Sequence, residues 1–185
     1  MNEREQQITN LSKFLSLVLR HKPATVDLVL DQNGWAAIDD LIEKANRAGI
    51  ALDKELLMYI VDNNAKKRFA INAERTSIRA SQGHSIDVDL GYTNLQPPEL
   101  LYHGTAEKFI PSILATGLEK RTRQHVHLSK DIETAIKVGQ RHGKPYVFTV
   151  LAGQMYTDKY AFFLSENGVW LTEKVPVRYL KETRN

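Results

Sequence analysis

Leu11, Phe14, Leu15, Val18 and Leu19 recur at i, i+3, i+4, i+7 and i+8, the spacing of one helical face. The pattern predicts an amphipathic helix that Pro23 closes, because the residue before a proline is pushed out of the α region. Arg20 and His21 then fall in its last turn or just beyond. A second helix is expected over about 38–48, where Asp39 and Asp40 suit the positive N-terminal end and Gly49 suits the stop. A third starts near Asp53, an N-cap residue type, and carries Leu56, Leu57, Ile60 and Val61. Beyond it the period shortens. RFAI (68–71) and SIRAS (77–81) predict two short strands around a polar link. Three helices followed by a hairpin suggest a winged-helix lobe over 1–95.

The stretch 83–98 is rich in turn residues and ends in Pro97-Pro98, which marks it as a connection between lobes. The texture from 96 to 185 is β-rich. ELLYHGT (99–105), HVHLS (125–129), PYVFTVLA (145–152), YAFFLS (160–165) and VWLT (169–172) predict strands. Helices are expected at 109–118, with Pro111 in the first turn, and at 131–139. The fold class is therefore α+β in two lobes. Trp35, Tyr59 and Phe69 are expected in the core.

With 42% hydrophobic and 25% charged residues the chain can bury a core. It has no cysteine, which excludes a disulfide framework, a thiolate zinc site and a cysteine nucleophile. The beginning MNEREQQITN lacks the basic-then-apolar signal pattern, and no apolar run approaches the roughly 18 residues of a membrane span. A soluble, cytoplasmic protein without membrane contact is the expectation. The net charge is only +3. Residues 1–95 carry 12 Lys and Arg against 13 Asp and Glu, and residues 96–185 carry 13 against 9. Neither half is the basic body of a non-specific nucleic-acid coat, so any nucleic acid must be held by a few placed cations.

The motif search begins with absences. There is no GxGxxG, no GxxxxGK[ST], no HEXXH and no GxSxG. What remains are arginines and histidines in compact patterns. Leu19-Arg20-His21-Lys22-Pro23 is a compact Arg-His pair that, taken alone, reads as cations favouring a helix C-terminus. Lys66-Lys67-Arg68-Phe69 brings three cations into a strand and, taken alone, reads as a solvated charge run. In Arg79-Ala80-Ser81-Gln82-Gly83-His84-Ser85, Arg79, Gln82, His84 and Ser85 place donors around a glycine, a pattern that can face an anion or form an ordinary polar turn. Tyr102-His103-Gly104-Thr105 ends a strand, where the glycine permits close approach by a ligand. In Arg123-Gln124-His125-Val126-His127-Leu128-Ser129, strand alternation puts Arg123, His125 and His127 on one face. Two imidazoles could begin a metal site, but no third ligand stands at ligand spacing, and no metal is expected. Asn167-Gly168-Val169-Trp170 reads as a turn entering a strand.

Taken together, LSKFLSLVLRHKP, NGW (33–35), KKRF, IRASQGHS, LYHGT, GLEKRTRQHVHLS and SENGVWLT resemble the KptA-type RNA 2′-phosphotransferases. The pieces run in family order from Leu11 to Thr172. The resemblance implies a winged-helix RNA lobe followed by an ADP-ribosyltransferase-like lobe over 96–185 that binds NAD without a Rossmann motif. It places the catalytic set on Arg20, His21, Arg68 and Arg123. Arg121 is two residues from the last, and the motif places its arginine two before HVH. It places the cofactor at His103, Gly104, Thr105, His127 and Ser129, and the RNA phosphate near Arg79, Gln82, His84 and Ser85. The catalytic glutamate of protein-modifying ADP-ribosyltransferases is replaced here by Val169, with Glu166 displaced by three positions.

The implied partner is RNA with an internal 2′-phosphate, tRNA-like in the family, and a monomer is expected. Rival readings are an ADP-ribosyltransferase that caps terminal RNA or DNA phosphates, a winged-helix nucleic-acid-binding protein, and a histidine metalloenzyme. Residues 53–64, DKELLMYIVDNN, carry one lysine and several acids, which argues against a helix that reads base edges.

Overall fold

The computed structural model describes residues 3–183, folded as two compact units, one ending at Gly91 and the other beginning at Tyr92. Among the described residues no helix is long and apolar enough to cross a membrane.

The first unit opens with α1 (Glu3–Arg20), whose buried stripe is Leu11, Leu15, Val18 and Leu19. Pro23 does end it, and starts a 3₁₀ turn, Pro23–Val26. A two-residue strand β1 (Ala36–Ala37) leads directly into α2 (Ile38–Arg47). α3 (Lys54–Asp62) is capped as expected, with Asp53 accepting from the Leu56 amide at 2.7 Å. β2 (Phe69–Ile71) and β3 (Ser77–Ala80) form the hairpin, and β1 adds to the other edge of β3, giving the antiparallel order β1-β3-β2. Ile38, Leu41, Leu57, Ile60 and Ile78 pack with the α1 stripe into one core. Phe69 joins that core, but Tyr59 is exposed under Arg4, and Trp35 is half-buried beneath the Arg79 guanidinium. Aromatic faces that attract cations stay near the surface.

Among the described residues the second unit has three small antiparallel sheets. β4 (Leu101–Ala106) precedes α4 (Ile110–Thr116), β5 (Leu118–Glu119), β6 (Val126–Leu128) and α5 (Ile132–Gly139). β7 (Pro145–Val150), α6 (Ala152–Thr157), β8 (Phe163–Leu164), β9 (Trp170–Thr172), β10 (Lys174–Val175) and β11 (Leu180–Glu182) follow. The sheets run β11-β7-β4, β6-β9-β8 and β10-β5. Leu101, Phe148, Val150, Met155, Phe162 and Tyr179 are central to the core.

Two strand expectations are cut short for the same reason. PYVFTVLA leaves the sheet at Val150, because the Leu151 amide donates to Tyr179 and the Gly153 amide to Glu99, and the chain turns into α6. YAFFLS keeps only Phe163–Leu164 as strand, since the Phe162 amide and carbonyl bond to Asn94 and Leu95. The division between the two units falls inside 83–98, the expected connection, and its residues are bonded to each. The Ser85 amide donates to Arg20 and the Asp89 amide to Gln32 in the first unit, while Asn94 and Leu95 are tied to the second.

α5 lies directly on β4. A Cβ on Gly104 would overlap the Ala135 carbonyl, and one on Gly139 would come within 2.5 Å of the Thr105 carbonyl. The Gly104→Ala variant is expected to lose about 3 kcal/mol or more by overpacking against fixed backbone. Gly168, at φ +80° with open space around it, should cost only about 1–2 kcal/mol as alanine. Urea unfolding midpoints compare the two; equal losses would mean that α5 readily moves off β4.

Candidate active site

In the first unit, three chain ends meet at one carbonyl. The Arg68 carbonyl accepts from the Arg20 guanidinium (Nη2, 3.2 Å) and from the Ser81 amide (2.9 Å). The Ser81 hydroxyl donates to the Lys67 carbonyl at 2.9 Å. The end of α1, the entry to β2 and the exit of β3 are thereby joined. The loop after β3 is clipped back to the same place. The Ser85 amide donates to the Arg20 carbonyl at 2.9 Å, and the Ser85 hydroxyl pairs with His21 Nδ1 at 2.9 Å.

His84 is tucked beneath this clip and is 1% exposed. Among the described residues neither ring nitrogen has a hydrogen-bond partner, and the buried carbonyl oxygen of the Gln82 side chain has none either. Burial, then the charges of Arg20, His21 and Arg79, push the His84 pKa down to about 4. The imidazole is therefore neutral at working pH. It contributes hydrogen-bonding capacity without adding positive charge to an already cationic corner. Gly34, at φ +78°, brings the turn before Trp35 over the ring, and a Cβ there would sit 3.5 Å from His84 Nε2. Trp35 carries Arg79 4.5 Å above its ring.

Sequence reasoning missed Asn64. Its side-chain oxygen accepts from the Lys66 amide at 3.1 Å and lies 3.4 Å from Arg68 Nη1, and its amide nitrogen lies 3.4 Å from Ser12 Oγ on α1. The available signal was the Asn-Ala-Lys spacing of an Asx turn just before Lys67-Arg68.

In the second unit, Tyr102 and Ser129 exchange backbone hydrogen bonds (2.9 and 2.7 Å), a bridge that joins the end of β6 to β4. This brings His103 and His127 together. His103 Nδ1 donates to the His127 carbonyl at 3.1 Å, so Nε2 is left as an acceptor. Burial lowers the His103 pKa and Arg123 lowers it further, while the carbonyl bond raises it. Arg123 Nη1 donates to His127 Nδ1 at 3.1 Å, which makes His127 Nε2 a donor. Burial and then Arg141 lower the Arg123 pKa, though a guanidinium stays charged.

Two expectations change here. His125 does not share a face with Arg123 and His127. The strand begins only at Val126, and His125 packs edge-on to Phe163 and Tyr92 at centroid distances of 5.4 and 6.1 Å. Gly104 has its Cα against Ala135, so its missing side chain admits a helix. The turn before β9 is as expected: the buried Ser165 Oγ accepts from the Val169 amide (3.0 Å) and lies within hydrogen-bond distance of Asn167 Oδ1 (2.8 Å) and the Val169 carbonyl (3.0 Å), and Glu166 is exposed. Among the described residues, no three His, Asp or Glu side chains gather as metal ligands.

The first unit's set offers cations and donors to an anion; the second offers a neutral imidazole acceptor beside an imidazole donor. Such groups define a phosphate-handling transferase better than a hydrolase built on a nucleophilic side chain. The profile of the RNA 2′-phosphotransferase, Tpt1/KptA family matches residues 5–174, and the chain belongs to that family. Among its relatives is a probable RNA 2′-phosphotransferase of Flavobacterium johnsoniae, 58% identical over 93% of this chain and 94% of its own. Others named in the same way come from Hahella chejuensis, 52% identical over 95% of both chains, and Agrobacterium fabrum, 53% identical over 93% of this chain and 92% of its own.

The buried neutral His84 makes stability depend on pH. Its folded pKa, about 4, lies below the ordinary 6.5, so the unfolded chain takes up the proton first. The contribution is complete above pH 6.5 and is lost as pH falls from there to 4, by about 3 kcal/mol in all. Chemical denaturation between pH 7.5 and 4 should show this decline, and His84→Gln should flatten it. An unchanged slope in the variant would mean that His84 is accessible to water.

Proposed function

We propose that this chain removes an internal 2′-phosphate from RNA by transferring it to NAD⁺. The observation that carries the reading is the bond from the Arg20 guanidinium to the Arg68 carbonyl, with His21 held beside them by Ser85, in a member of this family. On this reading the first unit, three helices with a three-stranded sheet, serves as a winged-helix RNA lobe. The second serves as an ADP-ribosyltransferase-like lobe that takes NAD⁺ as co-substrate. The donor on His127 and the acceptor on His103 suit ribose hydroxyls or a carboxamide, with Gly104, Thr105 and Ser129 supplying the adjoining backbone. Arg79, Gln82, His84 and Ser85 line the phosphate side. The enzyme would act as a cytoplasmic monomer on tRNA-like substrates.

In the first step a 2′-phosphate oxygen attacks the anomeric carbon of the nicotinamide ribose. The glycosidic C–N bond breaks, and nicotinamide leaves with the bonding pair. An ionised phosphate needs no base to activate it, which accounts for a valine where a glutamate would stand. In the second step the adjacent 2″-hydroxyl attacks phosphorus and the bond from phosphorus to the RNA 2′-oxygen breaks. The hydroxyl proton ends on the departing oxygen, giving 2′-OH RNA and ADP-ribose 1″,2″-cyclic phosphate. Arg20, Arg68 and Arg123 stabilise the phosphoryl oxygens, and His21, held by Ser85, moves the proton.

The test is purified protein with an oligoribonucleotide bearing one internal 2′-phosphate, with and without NAD⁺, and products identified by mass. NAD⁺-dependent loss of phosphate with the cyclic product is expected. Stable ADP-ribosylated ends would indicate a capping enzyme, and no reaction would refute the reading. Arg68→Ala should slow the second step about 10²–10³-fold, so that ADP-ribosylated RNA accumulates. A variant that blocks only NAD⁺ binding would show this role for Arg68 to be wrong.

A further inference from the structure

An open groove of about 640 Å³ runs along α1 in the first unit and ends at His21 and Arg68. Its wall on α1 is polar and small: Thr9, Ser12 and Ser16, with Lys13 at its rim, stand at i, i+3, i+4 and i+7. This stripe flanks the buried one and leaves room over the helix. The far wall is the end of α3 and the turn after it, with Asn63 and Lys66. Among the described residues lining the groove there is no carboxylate, whereas residues 1–95 as a whole carry slightly more acids than bases. Lys13, Lys66 and Arg68 are thus concentrated along one channel rather than scattered. From Thr9 to His21 the helix spans about 18 Å, longer than a single phosphate needs.

We propose that this groove holds the RNA strand next to the phosphate-bearing nucleotide, through its phosphodiester backbone. The inference rests on the function proposed above. Lysines meet phosphates, and the hydroxyls and amides meet phosphate or ribose oxygens. Among the described residues lining the groove there is no Phe, Tyr or Trp, and its one imidazole, His21, stands at the end, so its length lacks the stacking platform on which single-strand binders read or hold bases. Contacts of this kind position a strand without reading its sequence. The groove therefore confers a preference for length, not for base identity.

The experiment compares oligoribonucleotides that carry one 2′-phosphate and increasing numbers of nucleotides on either side of it. Both Lys13 and Lys66 are exposed, so Lys13→Glu with Lys66→Glu should leave folding intact, as a thermal melt would confirm. For the unaltered enzyme KM should fall as nucleotides are added on one side, regardless of sequence. In the double variant KM for the longest substrate should rise at least tenfold, with kcat and the KM of a 2′-phosphorylated dinucleotide unchanged within twofold. Anisotropy binding of unphosphorylated oligoribonucleotide should lose about 0.7 in log–log salt slope per lysine.

An equal rise in KM for all lengths, or none for the longest, would overturn the proposal. So would polyglutamate competing as well as RNA, which would make the groove a site for acidic protein. If the unaltered enzyme removes phosphate with no dependence on length, the groove fails and the function stands. If it removes none, the function fails, and the binding measurement still decides the groove.

Discussion

A guanidinium can grip a phosphate only if something aims it without cancelling its charge. In both units arginines are aimed by groups that carry no negative charge. Arg20 is held by the Arg68 carbonyl, Arg68 is oriented from Asn64, Arg79 lies on the face of Trp35, and Arg123 is bonded to the neutral imidazole of His127. A carboxylate in any of these places would orient the arginine more strongly and take away the field that a phosphate needs. The same logic accounts for His84. Between cations, an imidazole is tolerable only when neutral, and burial keeps it so.

The second unit meets the constraint through its sheets. One backbone bridge, Tyr102 to Ser129, ties β6 to β4, and the two histidines beside it have their tautomers set by a carbonyl and by a guanidinium. α5 then packs against Gly104 and Thr105, beside the strand end bearing His103, with no room for a Cβ between them. Packing this close fixes where the two imidazoles stand relative to each other.

What could be read from the chain beforehand was whatever repeats or obeys a local rule. The α1 stripe, the Asp53 cap, the hairpin at 69–80 and the turn at Gly168 each follow from short-range chemistry. What could not be read depends on partners distant in sequence. β1, β5 and β10 are two residues long and exist only because another strand borders them. The run 145–152 looks like one strand until Glu99 and Tyr179 claim its last amides. At the site, the arginines and histidines stand out by type and spacing, but the groups that aim them are ordinary. Asn64 and Trp35 are conspicuous only once Arg68 and Arg79 are beside them. Likewise, alternation along 123–129 put His125 with His127, and the late start of β6 separates them.

Reliance on an amide at position 64 has a chemical cost that grows with time. Asparagine side chains hydrolyse slowly, and the product is aspartate. At Asn64 that replaces one NH₂ by an oxygen, with almost no change in shape. The turn would survive, because the atom that accepts from Lys66 remains an oxygen. The oxygen near Arg68, however, would belong to an anion. An ageing molecule would thus keep its fold while the Arg68 guanidinium was neutralised from behind.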